Sequence, residues 1–247
     1  MTDLSQSTPQ YTVTEAENLG EAIFGIQAIA SLLDGERDRN FRMKTETGPG
    51  WILKIVNANE PRVESEFQAA LLRHLSDVDP QMVVPHLKPS LSGELLASTL
   101  SPGGEEHALR LVKWLPGTPL AQAERTFALL GNLGRTLGGL DRALQGFIHP
   151  GALRDIDWDL RHAARARKRL AFVRDDDKRA LLERFIARFE RLVAPRLPRL
   201  RAQVIHNDAN DWNVLVDNLQ HDKIAGLIDF GDAVHTILIA EVAIACA

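Results

Sequence analysis

The chain is predicted to be an α+β protein of two lobes, an antiparallel sheet with one helix over residues 1–115 followed by a mainly helical lobe over residues 116–247. Three observations carry this. The first half holds short apolar runs separated by Gly- and Asp-containing turns. The second half carries leucines at helical spacing. Between them Leu115-Pro116-Gly117-Thr118-Pro119 has two prolines and a glycine, which should bend the chain into a connector rather than continue a strand. At 247 residues the chain exceeds one ordinary domain and suits two lobes around a cleft.

The elements follow in order. Residues 1–11 are a polar lead. Thr14 to Leu19 begins helical, with Thr14 as cap and Glu17 in the capping-box position. Strands are expected at Gly25–Leu33, Asn40–Thr45 and Trp51–Val56. Between Pro61 and Ser76, Val63, Phe67, Ala70, Leu71 and Leu75 keep helical spacing, giving a helix to pack on the sheet. Two more strands, Glu94–Leu100 and His107–Leu115, frame the Pro102-Gly103-Gly104 turn. Helices then occupy Ala121–Gln145 and Lys178–Val193, the latter ended by Pro195 and Pro198. The basic run Arg161–Arg174 interleaves Leu170, Ala171, Phe172 and Val173 and is followed by three aspartates, so it reads as a solvated amphipathic helix rather than a nucleic-acid patch.

Composition narrows the function. Hydrophobic residues are 45% and charged residues 25%, as in ordinary globular proteins, and a net charge of −4 offers no general attraction to nucleic acid or anionic membrane. The amino terminus lacks the pattern of a signal peptide, and the apolar stretch Thr236–Ala247 is interrupted by Glu241 and too short to span a bilayer. The one cysteine, Cys246, follows Val242-Ala243-Ile244-Ala245, which predicts a buried structural thiol and fits a reducing cytoplasm.

The chemistry concentrates near the C-terminus. In Val204-Ile205-His206-Asn207-Asp208 and Gly226-Leu227-Ile228-Asp229 an apolar run ends on polar groups, as when buried strands deliver side chains into a cleft, and Asn213 lies between them. A carboxylate able to take a hydroxyl proton, with an amide and a second carboxylate able to hold Mg²⁺ against phosphate oxygens, equips a site for phosphoryl transfer to an alcohol. The plainer alternative is that Asp208 and Asn213 stabilise a turn. Lys54 stands in the apolar run Trp51–Val56, where a lysine is costly unless it meets an anion or snorkels from an edge. Leu33–Phe41 lacks a GxGxxG pattern. It either covers phosphates with its backbone N–H groups, Arg37 and Arg39, or is an ordinary charged hairpin.

The spacing His206-x-Asp208, Asn213, Ile228-Asp229-Phe230 resembles the aminoglycoside phosphotransferase and choline kinase-like superfamily, which has a protein-kinase-like fold. Glu36-Arg37-Asp38-Arg39-Asn40-Phe41 resembles the loop of its hydroxylysine kinase-like members, including those fused to an aminotransferase-like domain. The resemblance implies that Asp208 accepts or orients the substrate hydroxyl proton, that Asn213 and Asp229 bind Mg²⁺, and that His206 supports the loop. It also implies that Lys54, Arg37 and Asn40 bind ATP. A helix glutamate should hold Lys54: Glu66, which shares a face with Val63 and Ala70, or its competitor Glu64. Leu111–Gly117 resembles the strand beside adenine, with Trp114 stacking there or serving as core. Asp232 either contacts metal or caps a helix. Asn210 and Asp211 meet a cationic substrate or face solvent. Trp158 and Asp159 build a substrate pocket or anchor a helix.

The function expected is an ATP- and Mg²⁺-dependent kinase acting on a hydroxyl of an amine-bearing metabolite, 5-hydroxylysine first. Aminoglycoside, homoserine and choline are the alternatives, and an aminoglycoside site would need Asp155, Asp157 and Asp159 to face the cleft. From another class, the chain could be a nucleotide-binding module or inactive fragment of a larger fusion protein. It stops inside the apolar pattern Ile237–Ala247, so the second lobe is expected to be incomplete.

Overall fold

The computed structural model describes residues 8–247 except Glu36 and Pro102, so the expectations on those two positions and on the first seven residues of the lead lie outside the described residues. Helix α1 (Val13–Phe24) is capped by Thr12, whose hydroxyl accepts the Glu15 N–H while Glu15 takes the Thr12 N–H at 2.7 Å. The expected cap was Thr14. Two capping boxes overlap in Thr12-Val13-Thr14-Glu15-Ala16-Glu17, and the earlier one adds half a turn of helix while leaving Glu17 to accept the Ala30 N–H at 2.9 Å. Gly25, with φ 63°, closes the helix, which moves the start of the first strand from residue 25 to residue 29.

A fully antiparallel sheet follows. β1 (Ile29–Leu33), β2 (Arg39–Lys44) and β3 (Trp51–Ile55) are joined by the short β4 (Leu87–Lys88) and β5 (Ala97–Leu100), both paired to β6 (Glu106–Lys113), which also pairs β3. Alternation turns Phe41, Met43, Leu53, Ile55, Leu109 and Leu111 toward Ala16 and Phe24 of α1, forming one core. The register sets Asn40 opposite Lys54 and Lys54 opposite Arg110, so a polar row crosses three strands on the other face.

Helix α2 (Arg62–Val78) was expected to pack on the sheet. It buries Phe67, Leu71, Leu72 and Leu75 in a second core that takes Val112 from β6 but draws most of its members from the other half of the chain. Those are Leu129, Leu133, Leu137 and Leu140 of α3 (Phe127–Ala143), with Val204, Val214, Leu227 and Phe230. Val63, assigned to the buried face in the sequence, is exposed.

Thr118-Pro119, in the expected connector, forms β7 and pairs with β9 (Val214–Val216), since an edge strand tolerates proline. The basic run forms a 3-10 helix, Leu160–Phe172, before α4 (Asp176–Leu192), which Asp175 caps. β8 (Ala202–Ile205) pairs with β11 (Val234–Ile237), and β10 (Ile224–Leu227) with β9. The last helix, α5 (Ile239–Ala245), buries Ala240 and Glu241. Cys246 caps that helix and is exposed, not buried as expected, because the inward face of α5 is spent on those two residues. Among the described residues no helix is long and apolar enough to cross a membrane.

Candidate active site

Strand β8 ends on His206, which is fully buried. Its Nε2–H donates to the Ile228 carbonyl at 2.9 Å and its Nδ1 accepts the Asp208 N–H at 3.2 Å. Burial pushes the imidazole pKa down, which suits a neutral ring whose tautomer is set by those two bonds. The ring joins the strand carrying Asp208 to the one carrying Asp229. Asn207 adopts a left-handed φ of 64°, and its N–H donates to Glu241 Oε2 at 3.2 Å. Asp208 then receives an amide on each carboxylate oxygen: Asn210 Nδ2 at 2.8 Å on Oδ1 and Asn213 Nδ2 at 2.7 Å on Oδ2. Burial raises the Asp208 pKa above the ordinary carboxylate value, with the two amides pulling the other way.

Strand β10 leads to Asp229, also left-handed at φ 60°, which accepts the Gly231 N–H at 3.2 Å. Lys54 Nζ lies 3.8 Å from Asp229 Oδ1, and its charge is the first cause of a lowered Asp229 pKa. Arg37 reaches down from the β1–β2 loop to Asp232 at 3.2 Å. These side chains, with Asp34, Asp38, Asn40, Glu60 and Gln68, line one cleft of about 580 Å³, within the range of small-ligand sites. Gly35 fits tightly over it, since a Cβ there would come 2.6 Å from Asn40 Nδ2 and 2.7 Å from the Asp38 carbonyl. A base between two amides, a lysine, an arginine and a second carboxylate can align a hydroxyl against a phosphate chain.

A profile of the phosphotransferase enzyme family, APH, matches residues 28–247. The chain belongs to that family. Among curated proteins it is similar to hydroxylysine kinase of Xenopus laevis, 28% identical over 266 residues, covering 98% of this chain and 70% of that protein. Hydroxylysine kinase of Mus musculus is 26% identical over 261 residues, covering 97% and 69%. Among solved structures a microcompartment-associated aminopropanol kinase aligns with a TM-score of 0.73 at 20% identity over 96% of this chain and 74% of its own. An amicoumacin kinase in complex with AMP-PNP and Ca²⁺ aligns at 0.70 and 18%, over 95% and 68%. The fold is therefore the protein-kinase-like one of these enzymes, and the chain is a small-molecule phosphotransferase, which implies a nucleotide donor.

In this phosphotransferase Lys54, Arg37, Asn40, Asp208, Asn213 and Asp229 meet on one cleft, and Glu66 does not. Glu66 is exposed and pairs with Arg62 at 3.1 Å, while Glu64 pairs with Arg154 at 2.9 Å. The sequence put Val63 and Ala70 on the buried face of α2. The helix instead buries Ser65, Phe67 and Gln68, which turns Glu66 outward. Arg39 leaves the cleft for the Tyr11 carbonyl at 3.3 Å. Trp114 is neither core nor buried, but lies under the Arg42 guanidinium at 4.2 Å. Asp211 bonds Arg125 at 2.6 Å, while Asn210 lines the cleft, with its amide on Asp208 and its Oδ1 accepting the Trp212 N–H. Asp232 is taken by Arg37, and the short turn before it is capped by Asp229. Trp158 is exposed, and the anchor is its neighbour Asp159, buried against Arg161 and Thr236.

Three further polar residues in or behind the cleft were missed: Arg110, Gln68 and Glu60. Arg110 is buried behind Lys54, donating to Gln68 at 2.6 Å and lying 3.9 Å from Asp38. Glu60 accepts the Ser65 hydroxyl at 2.5 Å, and burial raises its pKa. Arg110 could have been found, because Leu109-Arg110-Leu111 places a charge in an apolar run as Ile52-Leu53-Lys54-Ile55 does.

Among the described residues no three His, Cys, Asp or Glu side chains form a metal cluster. The donor set nevertheless fits Mg²⁺, which usually takes one or two protein oxygens beside phosphates and water. Both Nδ2 hydrogens of Asn213 are committed, to the Asp208 carbonyl at 2.9 Å and its carboxylate at 2.7 Å, which leaves Oδ1 as the amide's open acceptor.

Proposed function

We propose that this phosphotransferase moves the γ-phosphoryl group of ATP to the hydroxyl of a small amine-bearing acceptor, with 5-hydroxylysine as the first candidate. The observation that carries this is the pairing of Asp208, held by an amide on each oxygen, with Lys54 and Asp229 across the same cleft. Asp208 accepts the acceptor's hydroxyl proton and aims the oxygen along the transfer line. Lys54 and Arg37 give up their carboxylate partners to bind phosphate oxygens, and Asn40, beside Lys54 in the sheet, borders the nucleotide. Asn213 Oδ1 and the Asp229 carboxylate hold Mg²⁺. Bound there, Mg²⁺ supplies charge neutralisation between the phosphates.

The acceptor assignment has two supports. Two similar curated proteins are hydroxylysine kinases. In addition, the acidic wall that a polycationic antibiotic would need is already neutralised: Asp155 pairs with Arg165, Asp157 with Arg169 and Asp159 with Arg161. The decisive experiment joins Asp208→Asn to a panel of hydroxylysine, homoserine, choline and an aminoglycoside. Turnover is expected to fall by roughly 10²–10⁴-fold in the variant with nucleotide affinity kept, and the parent to prefer hydroxylysine. Turnover retained by Asp208→Asn removes the assigned role, and preference for the aminoglycoside removes the acceptor.

A further inference from the structure

Helix α2 and the loop that carries Asp229 meet on one side chain, Arg154. Its Nη1 donates to Glu64 Oε2 at 2.9 Å, its Nε to the Ala233 carbonyl at 3.2 Å, and its Nη2 to the carbonyls of Gly231 and, at 2.7 Å, Ala233. The side chain is only 7% exposed, so the guanidinium is nearly out of water and needs Glu64 to balance its charge. The turn just before it also touches α2. Gly151 fits so closely that a Cβ would lie 2.3 Å from the Val63 carbonyl and 2.7 Å from Phe67 Cβ. Arg154 is thus tied to α2 through its backbone approach and through its charge.

The carbonyls it grips lie two and four residues beyond Asp229. That residue sits at φ 60°, a left-handed conformation that aspartate adopts more readily than most side chains but still at a cost that its surroundings must offset. A planar fork with several donors supplies such a constraint, whereas a lysine supplies a single flexible point charge. We propose that Arg154 is a positioning residue: it clamps α2 to the 229–233 loop and so fixes where the Asp229 carboxylate meets the nucleotide-bound cation, with Glu64 setting its reach. The inference rests on the phosphotransfer reading above. It gives Glu64, rather than Glu66, a part in the site, through Arg154 instead of Lys54.

The test uses the parent, Arg154→Lys, Glu64→Gln and the double variant, titrated with Mg²⁺ in the presence of a fluorescent N-methylanthraniloyl ATP analogue, and again with the analogue alone in EDTA. Each single variant is expected to raise the Mg²⁺ concentration needed for half-maximal effect about tenfold, as loss of an outer partner of a metal ligand does, with metal-free nucleotide binding unchanged. The double variant should be no worse than Arg154→Lys alone, since both changes break one clamp. An unchanged Mg²⁺ requirement overturns the proposal, as does an equal loss with and without the metal. Glu64→Gln is isosteric at a partly exposed position, so it keeps the test open if Arg154→Lys misfolds. A parent that binds the analogue under neither condition overturns the phosphotransfer reading itself, before any variant is compared.

Discussion

Lys54 and Arg110 are neighbours across β3 and β6, yet they are charged for different reasons. Lys54 reaches into the open cleft and has a loose 3.8 Å contact with a half-exposed carboxylate, a kind of pair that adds little to stability. Arg110 is buried, with a 2.6 Å bond to Gln68, and its loss strands the polar groups that face it. Lys54→Met should therefore weaken nucleotide binding by roughly 10–100-fold, the worth of a charge-assisted bond, while leaving the unfolding midpoint nearly untouched. Arg110→Met should do the reverse and lower stability by about 3 kcal/mol. Calorimetric titration and urea unfolding of both variants check this. A midpoint that drops in Lys54→Met, or holds in Arg110→Met, contradicts it. At this scale the sequence is readable where a charge interrupts an apolar run, as Lys54 does, or where such a run ends on polar groups, as at Asp208 and Asp229. Arg154 is not, because Leu153-Arg154-Asp155 sits in a loop without periodicity and most of its contacts are to carbonyls that any sequence would provide.

Among the elements, α5 has the least ordinary contact with the site. Its Glu241 is buried and accepts the Asn207 N–H, one residue before Asp208. Burial raises the Glu241 pKa from 4.5 to about 7, with nearby Asp141, itself raised to about 6, adding to the effect. Between pH 4.5 and about 7 the folded chain keeps a proton that the unfolded chain has released, so this group makes stability fall as pH rises through that window. The loss totals about 3 kcal/mol. Glu241→Gln removes the titration while keeping an acceptor for Asn207. It should match the parent near pH 5 and be more stable at pH 8, read as the difference between urea midpoints at the two values. A variant that is less stable at pH 8 refutes the assignment. β2, β3, β5 and β6 were legible from apolar runs and turns and α4 from its leucine spacing, whereas the two-residue β4 and β7 are too short to leave a pattern. α1 was misplaced because two capping boxes overlap, and β11 was not read because it shares one apolar run, Val234 to Ala245, with the helix that follows it.

Two lobes were expected from the change of pattern at Leu115, but what holds the molecule together crosses that boundary. Phe67, Leu71, Leu72 and Leu75 of α2 are buried with Leu129, Leu133, Leu137 and Leu140 of α3 and with the strands that present His206 and Asp229. Sequence could not reveal this, since α2 has apolar residues on two faces and only tertiary contact decides which is inside. Chain halves that share a core lose it together, so unfolding should be one cooperative transition. The four tryptophans are divided evenly between the halves, Trp51 and Trp114 in the first and Trp158 and Trp212 in the second. Fluorescence of variants keeping one pair, and far-ultraviolet circular dichroism, should give the same urea midpoint. Gly151→Ala then probes the seam directly. Its Cβ would meet the Val63 carbonyl at 2.3 Å, which forces α2 to shift and should lower stability by about 1–3 kcal/mol. Because the seam belongs to both halves, both tryptophan pairs should move to lower urea by the same amount. If only the second pair moves, the halves fold separately and α2 does not bind them into one unit.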